Sequence, residues 1–345
     1  MADTTLLIPG TGGLKLLRNG ADLGYPVMLQ GQAFLLSQAG GGLEEIGPLL
    51  SMQHRTGQAA PVKTSLLPGV EVTPGPVLSL AYREVGSNVL PFRYDWRGDI
   101  VHSAARLVAL LTERRPQGGK WRIVAHSQGG LVAVAASKLL AARHGGDATA
   151  FSDLVRRLVL VGVPLYGTLN AAHALVRGEQ LGEAVSSSFQ KISRTWPALY
   201  QMLPDFRAAL RQQNQEPAAT GFLHAASWQA YPDISADLLA RALETKQRYL
   251  RRPLEKMAQV KVSIVLATNR PTWDHAVLHP DRTIGFANRG APGDSLVPSV
   301  PTLNRLTPVE RKLVDQIGPD ETIAEHAFLL GDTYVGELTR RLLAG

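Results

Sequence analysis

The chain contains no cysteine in 345 residues. Disulfide scaffolds, thiolate nucleophiles and cysteine-ligated zinc are therefore excluded, while the redox compartment stays open because a cysteine-free chain works in either. No stretch approaches the ~18–20 uninterrupted apolar residues needed to cross a bilayer. Neither a basic start nor a small-residue cleavage site is found ahead of Thr4–Ile8, so no secretory leader is read there. The expectation is a soluble, cytoplasmic protein that touches membrane at most peripherally. Internal repeats and low-complexity tracts are also missing, which leaves out solenoids and disordered arrays.

What is present points to a folded domain. Hydrophobic residues make up 45% and charged residues 19%, enough apolar material for a sizeable core. Lys and Arg number 36 against 29 Asp and Glu, and the resulting +7 favours an anionic partner, either nucleic acid or a phospholipid surface. No nucleic-acid motif accompanies the basic residues, so nucleic acid is not expected.

Short apolar runs alternate with longer amphipathic ones, the pattern of an α/β domain with a mainly parallel sheet flanked by helices. Thr4–Ile8, Asn88–Arg93, Trp121–Ala125, Arg157–Val163 and Lys261–Thr268 read as strands. Pro91 weakens the second, because it leaves a ladder bond unmade. Asp99 can cap a helix that presents Ile100, Ala104, Leu107, Val108 and Leu111 on one face. Another helix runs from about Gly129 to Arg143, and a last one from about Gly331 to Leu343. Residues 14–85 read as loop-rich, punctuated by Gly40-Gly41-Gly42 and Pro68-Gly69. Residues 165–258 read as mostly helical, an insertion that caps a core formed by 1–164 and 259–345.

The chemistry concentrates where the strand Trp121–Ala125 becomes a helix, at Ala125-His126-Ser127-Gln128-Gly129-Gly130. Small residues two before and two after the serine allow a sharp turn that leaves its hydroxyl above the sheet, as in a nucleophile elbow. The helix N-terminus adds partial positive charge where negative charge would develop. A serine hydroxyl needs a base, and the base an orienting acid; on such a turn the order is serine, then acid, then histidine. Of nine histidines, His326 alone follows every strand read here, so it is the expected base. Asp294, set among small and then apolar residues, is the expected acid, with Asp274 and Asp281 as competitors. The backbone N–H of Gln128 and that of Thr11, in Pro9-Gly10-Thr11-Gly12-Gly13, are the expected oxyanion donors.

Other signals carry less. Tyr94-Asp95-Trp96-Arg97 is expected to form a buried Asp95–Arg97 network under the site. His275 and His279 have i,i+4 spacing, but Pro271 and Pro280 bracket them and no third ligand suggests itself, so neither metal nor cofactor is expected. Gly118-Gly119-Lys120 lacks the residues of a phosphate loop. Lys246, Arg248, Arg251, Arg252 and Lys256 form a basic segment that, beside Trp196, Leu199, Met202 and Trp228, is expected to touch an anionic lipid surface.

Several segments occur in one order: Ile8–Gly13, Phe92–Arg97, Ala125–Gly130, Gly162-Val163-Pro164-Leu165-Tyr166-Gly167-Thr168, Ile192–Pro204, Gly293–Val297 and His326-Ala327-Phe328-Leu329-Leu330. Together they resemble the lecithin:cholesterol acyltransferase-like branch of the α/β-hydrolases. The resemblance implies an α/β-hydrolase fold with an inserted helical cap, and Ser127, Asp294 and His326 as nucleophile, acid and base. It departs at Ser295, where the family commonly has glycine. The activity it implies is that of a lipase, phospholipase A or carboxylesterase acting on a lipid acyl ester through an acyl-enzyme at Ser127. The alternative is an acyltransferase that passes the acyl group to an alcohol. Lesser alternatives are a leaderless membrane-degrading effector and a catalytically idle hydrolase fold that only binds.

Overall fold

Thr5–Ile8 (β1), Val89–Pro91 (β2), Trp121–His126 (β3), Val155–Val161 (β4), Lys261–Ala267 (β5) and Val314–Ile317 (β6) form one parallel sheet in the order β6-β5-β4-β3-β1-β2. The computed structural model describes residues 4–18, 21–22, 25–29, 32–36, 70–73, 82–86, 89–177, 190–286 and 289–345. The central strands are almost wholly apolar and buried, as a sheet covered on both faces requires. Pro91 ends β2 at the margin of the sheet opposite Leu7, where its missing N–H interrupts no second ladder.

Helices fall where the sequence places them. Ile100–Glu113 (α1) starts at Asp99, whose Oδ1 accepts from the Val101 and His102 N–H groups at 2.8 and 3.1 Å. Ile100, Ala104, Leu107, Val108 and Leu111 are all buried on the inner face of this helix. Gln128–Arg143 (α2) is buried nearly all round, so it carries no polar stripe. Leu169–Arg177 (α3) and Ala236–Thr245 (α4) lie between β4 and β5, and Thr333–Ala344 (α5) closes the chain.

Three features differ from the sequence expectation. Residues 14–85 contain antiparallel strands: Lys15–Arg18 pairs with Ala21–Asp22 and Val70–Thr73, and Tyr25–Leu29 pairs with Gln32–Leu36. Pro26 inside one run and the two-to-four-residue length of others leave no sustained alternation to mark them as strands. Gly40-Gly41-Gly42 and Pro68-Gly69 lie outside the described residues. The helical insertion also holds a strand, Leu210–Gln212, which pairs with Ala276–Leu278 from beyond β5.

The apolar half of the expected lipid-touching surface is overturned, while Arg248, Arg251 and Arg252 are exposed. Trp196, Leu199, Met202 and Trp228 are core residues, and Lys246 beside them is 3% exposed. The basic segment instead packs at the far end of α2. There the Lys138 ammonium donates to the Arg251 carbonyl at 2.9 Å, and that of Lys256 to the Gly146 carbonyl at 3.0 Å. A 16-residue helix is about 24 Å long, so this segment lies well away from Ser127 at its start. Apolar residues among helices pack inward first, and sequence adjacency to charge does not bring them out.

Candidate active site

β1 leads towards β2 on one side, while β3 leads through α2 to β4 on the other. Chains that diverge in this way open a crevice at the carboxyl ends of the strands, where α/β sheets bind ligands. The loop after β1 and the turn after β3 both end there. Ser127 occupies that turn with φ 53° and ψ −131°, a backbone that serine rarely adopts. Its N–H donates to the Val161 carbonyl at 3.0 Å, and its carbonyl accepts from Gly130 at 3.0 Å. Close approach explains two glycines. A Cβ on Gly129 would sit 2.3 Å from the Ile8 carbonyl oxygen, and one on Gly10 would sit 2.6 Å from the Ser127 Cβ.

The structure brings Ser127, His326 and Asp294 together from positions far apart in the chain. His326 Nε2 lies 2.7 Å from Ser127 Oγ, and its Nδ1 lies 2.7 Å from Asp294 Oδ2. Asp294 is 1% exposed and His326 4%. The other carboxylate oxygen of Asp294 accepts from the Leu296 and Val297 N–H groups at 3.1 and 2.7 Å, which fixes its plane. The His326 N–H donates to the Asp294 carbonyl at 3.0 Å. The competing acids are engaged elsewhere: Asp274 meets His275 Nδ1 at 2.6 Å, and Asp281 accepts from the Thr283 N–H and hydroxyl. Ser295 has φ 80°, the left-handed region that glycine fills more easily, and its N–H is held by Thr272 Oγ1 at 3.0 Å.

Thr11 and Gln128 meet beside the serine. The Thr11 hydroxyl donates to Gln128 Oε1 at 2.6 Å, and Gln128 Nε2 donates to the Trp96 carbonyl at 2.8 Å. Among the described residues no acceptor is found for either backbone N–H. The loop is pinned at further points: the Tyr94 hydroxyl donates to the Pro9 carbonyl at 2.5 Å, and Trp96 Nε1 to that of Leu14 at 3.0 Å. Beneath them Arg97 Nε and Nη2 clasp the two oxygens of fully buried Asp95 at 2.9 and 2.7 Å. The tetrapeptide Tyr94–Arg97 thus forms the floor that its sequence suggested.

Two residues went unread in the sequence. Tyr82 donates towards His126 at 2.9 Å, and His126 in turn reaches the His326 carbonyl at 2.9 Å. Burial, with His326 nearby, pushes the His126 pKa well below the usual histidine range, so the ring is neutral. An imidazole next to the apolar run Ile123–Ala125 was the available signal. His275 and His279 are separated by the strand Ala276–Leu278 and share no helix face. Among the described residues no three His, Asp or Glu side chains converge as metal ligands, and no helix is long and apolar enough to cross a membrane.

The family model for lecithin:cholesterol acyltransferase matches residues 79–276, a span that includes the turn at Ser127 and ends before Asp294 and His326. No curated protein matches the sequence. Among solved structures, a chain of the Tle4–Tli4 complex superposes with a TM-score of 0.60 at 13% identity, covering 99% of this chain and 97% of that one. The lipase BlEst2 of Bacillus licheniformis in its mature form gives a TM-score of 0.42 at 14% identity, covering 79% and 84%. The family match takes in more than half of the sequence, and the sheet order and the sharp turn at Ser127 fit that assignment: the chain belongs to the lecithin:cholesterol acyltransferase family of α/β-hydrolases.

Proposed function

We propose that the chain is a serine hydrolase of lipid acyl esters. The observation that carries this reading is the unbroken line from Asp294 Oδ2 through His326 to Ser127 Oγ, each step 2.7 Å, beside two N–H groups without acceptors among the described residues. His326 Nδ1–H donates to Asp294, which leaves Nε2 bare to take the serine proton. Ser127 Oγ then bonds to the ester carbonyl carbon, and the carbonyl oxygen becomes an oxyanion held by the Thr11 and Gln128 N–H groups. Collapse of this intermediate expels the alcohol, which leaves with the proton from His326, and an acyl-Ser127 ester remains. Water attacks that ester with His326 again as base, giving a fatty acid and free serine. Residues 165–258 act as the cap over a core of 1–164 and 259–345.

Family membership favours one second reading. If an alcohol enters in place of water, the same acyl-enzyme gives a new ester, and exclusion of water by the cap decides between them. To test both, wild type and Ser127→Ala are incubated with vesicles of mixed phospholipid and triglyceride, with and without a long-chain alcohol. Mass spectrometry should show free fatty acid from the wild type only, with at least a ~1,000-fold drop in the variant. A new ester with added alcohol supports transfer. Equal traces from both proteins would refute the catalytic reading.

A further inference from the structure

We propose that Tyr82 and His126 are a positioning pair, coupling the loop that supplies one oxyanion donor to the backbone of the general base. The inference rests on the roles given above to Thr11 and His326. Four groups form a chain: Gly10 N–H, Tyr82 Oη, His126 and the carbonyl of His326, with links of 3.0, 2.9 and 2.9 Å. Its ends are residues 10 and 326, and Ser127 is joined to it directly through the peptide bond after His126.

The direction of each hydrogen bond is determined. The His326 carbonyl can only accept, so His126 Nε2 carries the proton. Burial keeps the ring neutral, which leaves Nδ1 as an acceptor, and Tyr82 Oη therefore donates to it. Burial also raises the Tyr82 pKa above the ordinary tyrosine range, which keeps the hydroxyl proton in place. The oxygen then has lone pairs free to accept the Gly10 N–H. Every donor points the same way, from the loop after β1 to His326. No member of this chain is Ser127, Thr11 or a side chain of the reacting line, so the pair acts through others.

Its targets are the parts that need placing. Gly10 precedes Thr11, whose N–H must lie near 3 Å from an oxygen that exists only in the transition state. His326 is held at its N–H by the Asp294 carbonyl and at its own carbonyl by His126, so both sides of the residue are fixed before its ring reaches Ser127. The rings of His126 and His326 lie 4.9 Å apart, and Tyr82 meets His126 edge-on at 5.4 Å. A fully buried imidazole with both nitrogens engaged is a costly way to fill a strand end, where valine would pack without polar atoms.

The experiment measures hydrolysis of p-nitrophenyl butyrate by the full chain and by Tyr82→Phe, His126→Phe and the double variant, with Ser127→Ala as reference. Tyr82→Phe removes one oxygen and keeps the ring. Its kcat should fall on the order of tenfold to a hundredfold with KM within about threefold, since misplacement by about an ångström has that effect. Affinity for butylboronic acid, which mimics the tetrahedral state, should fall in parallel with kcat. The double variant should be no slower than the slower single one, because both break the same chain. Full kcat in Tyr82→Phe, or losses that multiply in the double variant, would overturn the proposal even if His126→Phe fails to fold. If Ser127→Ala itself turns over like the wild type, the catalytic reading fails instead, and the two failures are told apart.

Discussion

Asp294 shows how much one carboxylate is asked to do. One oxygen ties down its own turn through two N–H groups, and the other meets His326 Nδ1. Asp294→Asn keeps the turn oxygen but presents an amide N–H₂ to Nδ1. The proton must then move to Nε2, where it points at the serine hydroxyl instead of accepting from it. The expected outcome is a folded protein with kcat lower by roughly 10⁴, measured by steady-state hydrolysis alongside circular dichroism. Ser295 beside it carries a different constraint. It adopts a positive φ where the family commonly has glycine, and Thr272 holds its N–H.

Between elements, Asp99 joins α1 to the helical insertion. Besides capping α1, it accepts from Gln201 Nε2 and from Arg241 Nε of α4, each at 2.9 Å. Gln201 completes the link by accepting the Ile100 N–H at 2.8 Å. Asp99→Ala removes the cap and both bonds to Oδ2, although Gln201 Nε2 keeps Thr245 Oγ1 and part-exposed Arg241 keeps Glu244, so the loss should be roughly 1–3 kcal/mol in urea unfolding. Asp99→Asn keeps the capping Oδ1 but sets an amide nitrogen where Oδ2 accepts from both Gln201 and Arg241, so it retains the cap and loses the link. If Asp99→Asn were as stable as the wild type, the link to the insertion would contribute nothing beyond the cap. In α2, Gly129→Ala forces the first turn away from β1, because the added methyl cannot occupy the space next to the Ile8 carbonyl.

At the scale of the molecule, histidines held neutral by partial or full burial set an acid limit on stability. His173 of α3 stacks on Trp273 at 4.6 Å and meets Phe286 edge-on at 4.9 Å. Burial, helped by Arg177 and Arg289, lowers its pKa to about 4. An unfolded histidine titrates near 6.5, so between these values the unfolded chain binds the extra proton. Stability from this site is complete above about pH 6.5, falls as the pH drops, and levels off below about 4. His126 acts in the same direction. His173→Phe keeps an aromatic ring in the stack and removes the titration. Relative to pH 8, the wild type should lose about 2 kcal/mol more than the variant at pH 5, measured by urea unfolding at both values. Equal losses would assign the acid sensitivity elsewhere.

The sequence alone determined the α/β alternation, the helix opened by Asp99, the turn at Ser127 and the chain order of serine, acid and base. Each rests on local chemistry: apolar runs of strand length, a capping carboxylate, and small residues around a serine. The sixth strand escaped notice because Val-Asp-Gln-Ile is short and half polar, and it pairs only with β5. The strands within 14–85 escaped for a similar reason, although Asn19-Gly20 between Arg18 and Ala21 is a hairpin signal. What only the tertiary structure decided was which groups meet. It placed Asp294, and neither Asp274 nor Asp281, against His326. It turned Trp196, Leu199, Met202 and Trp228 inward, and it joined Tyr82 to His126. Such choices depend on contacts between residues as much as 256 positions apart, as between Glu84 and Arg340, and no local pattern encodes a contact at that separation.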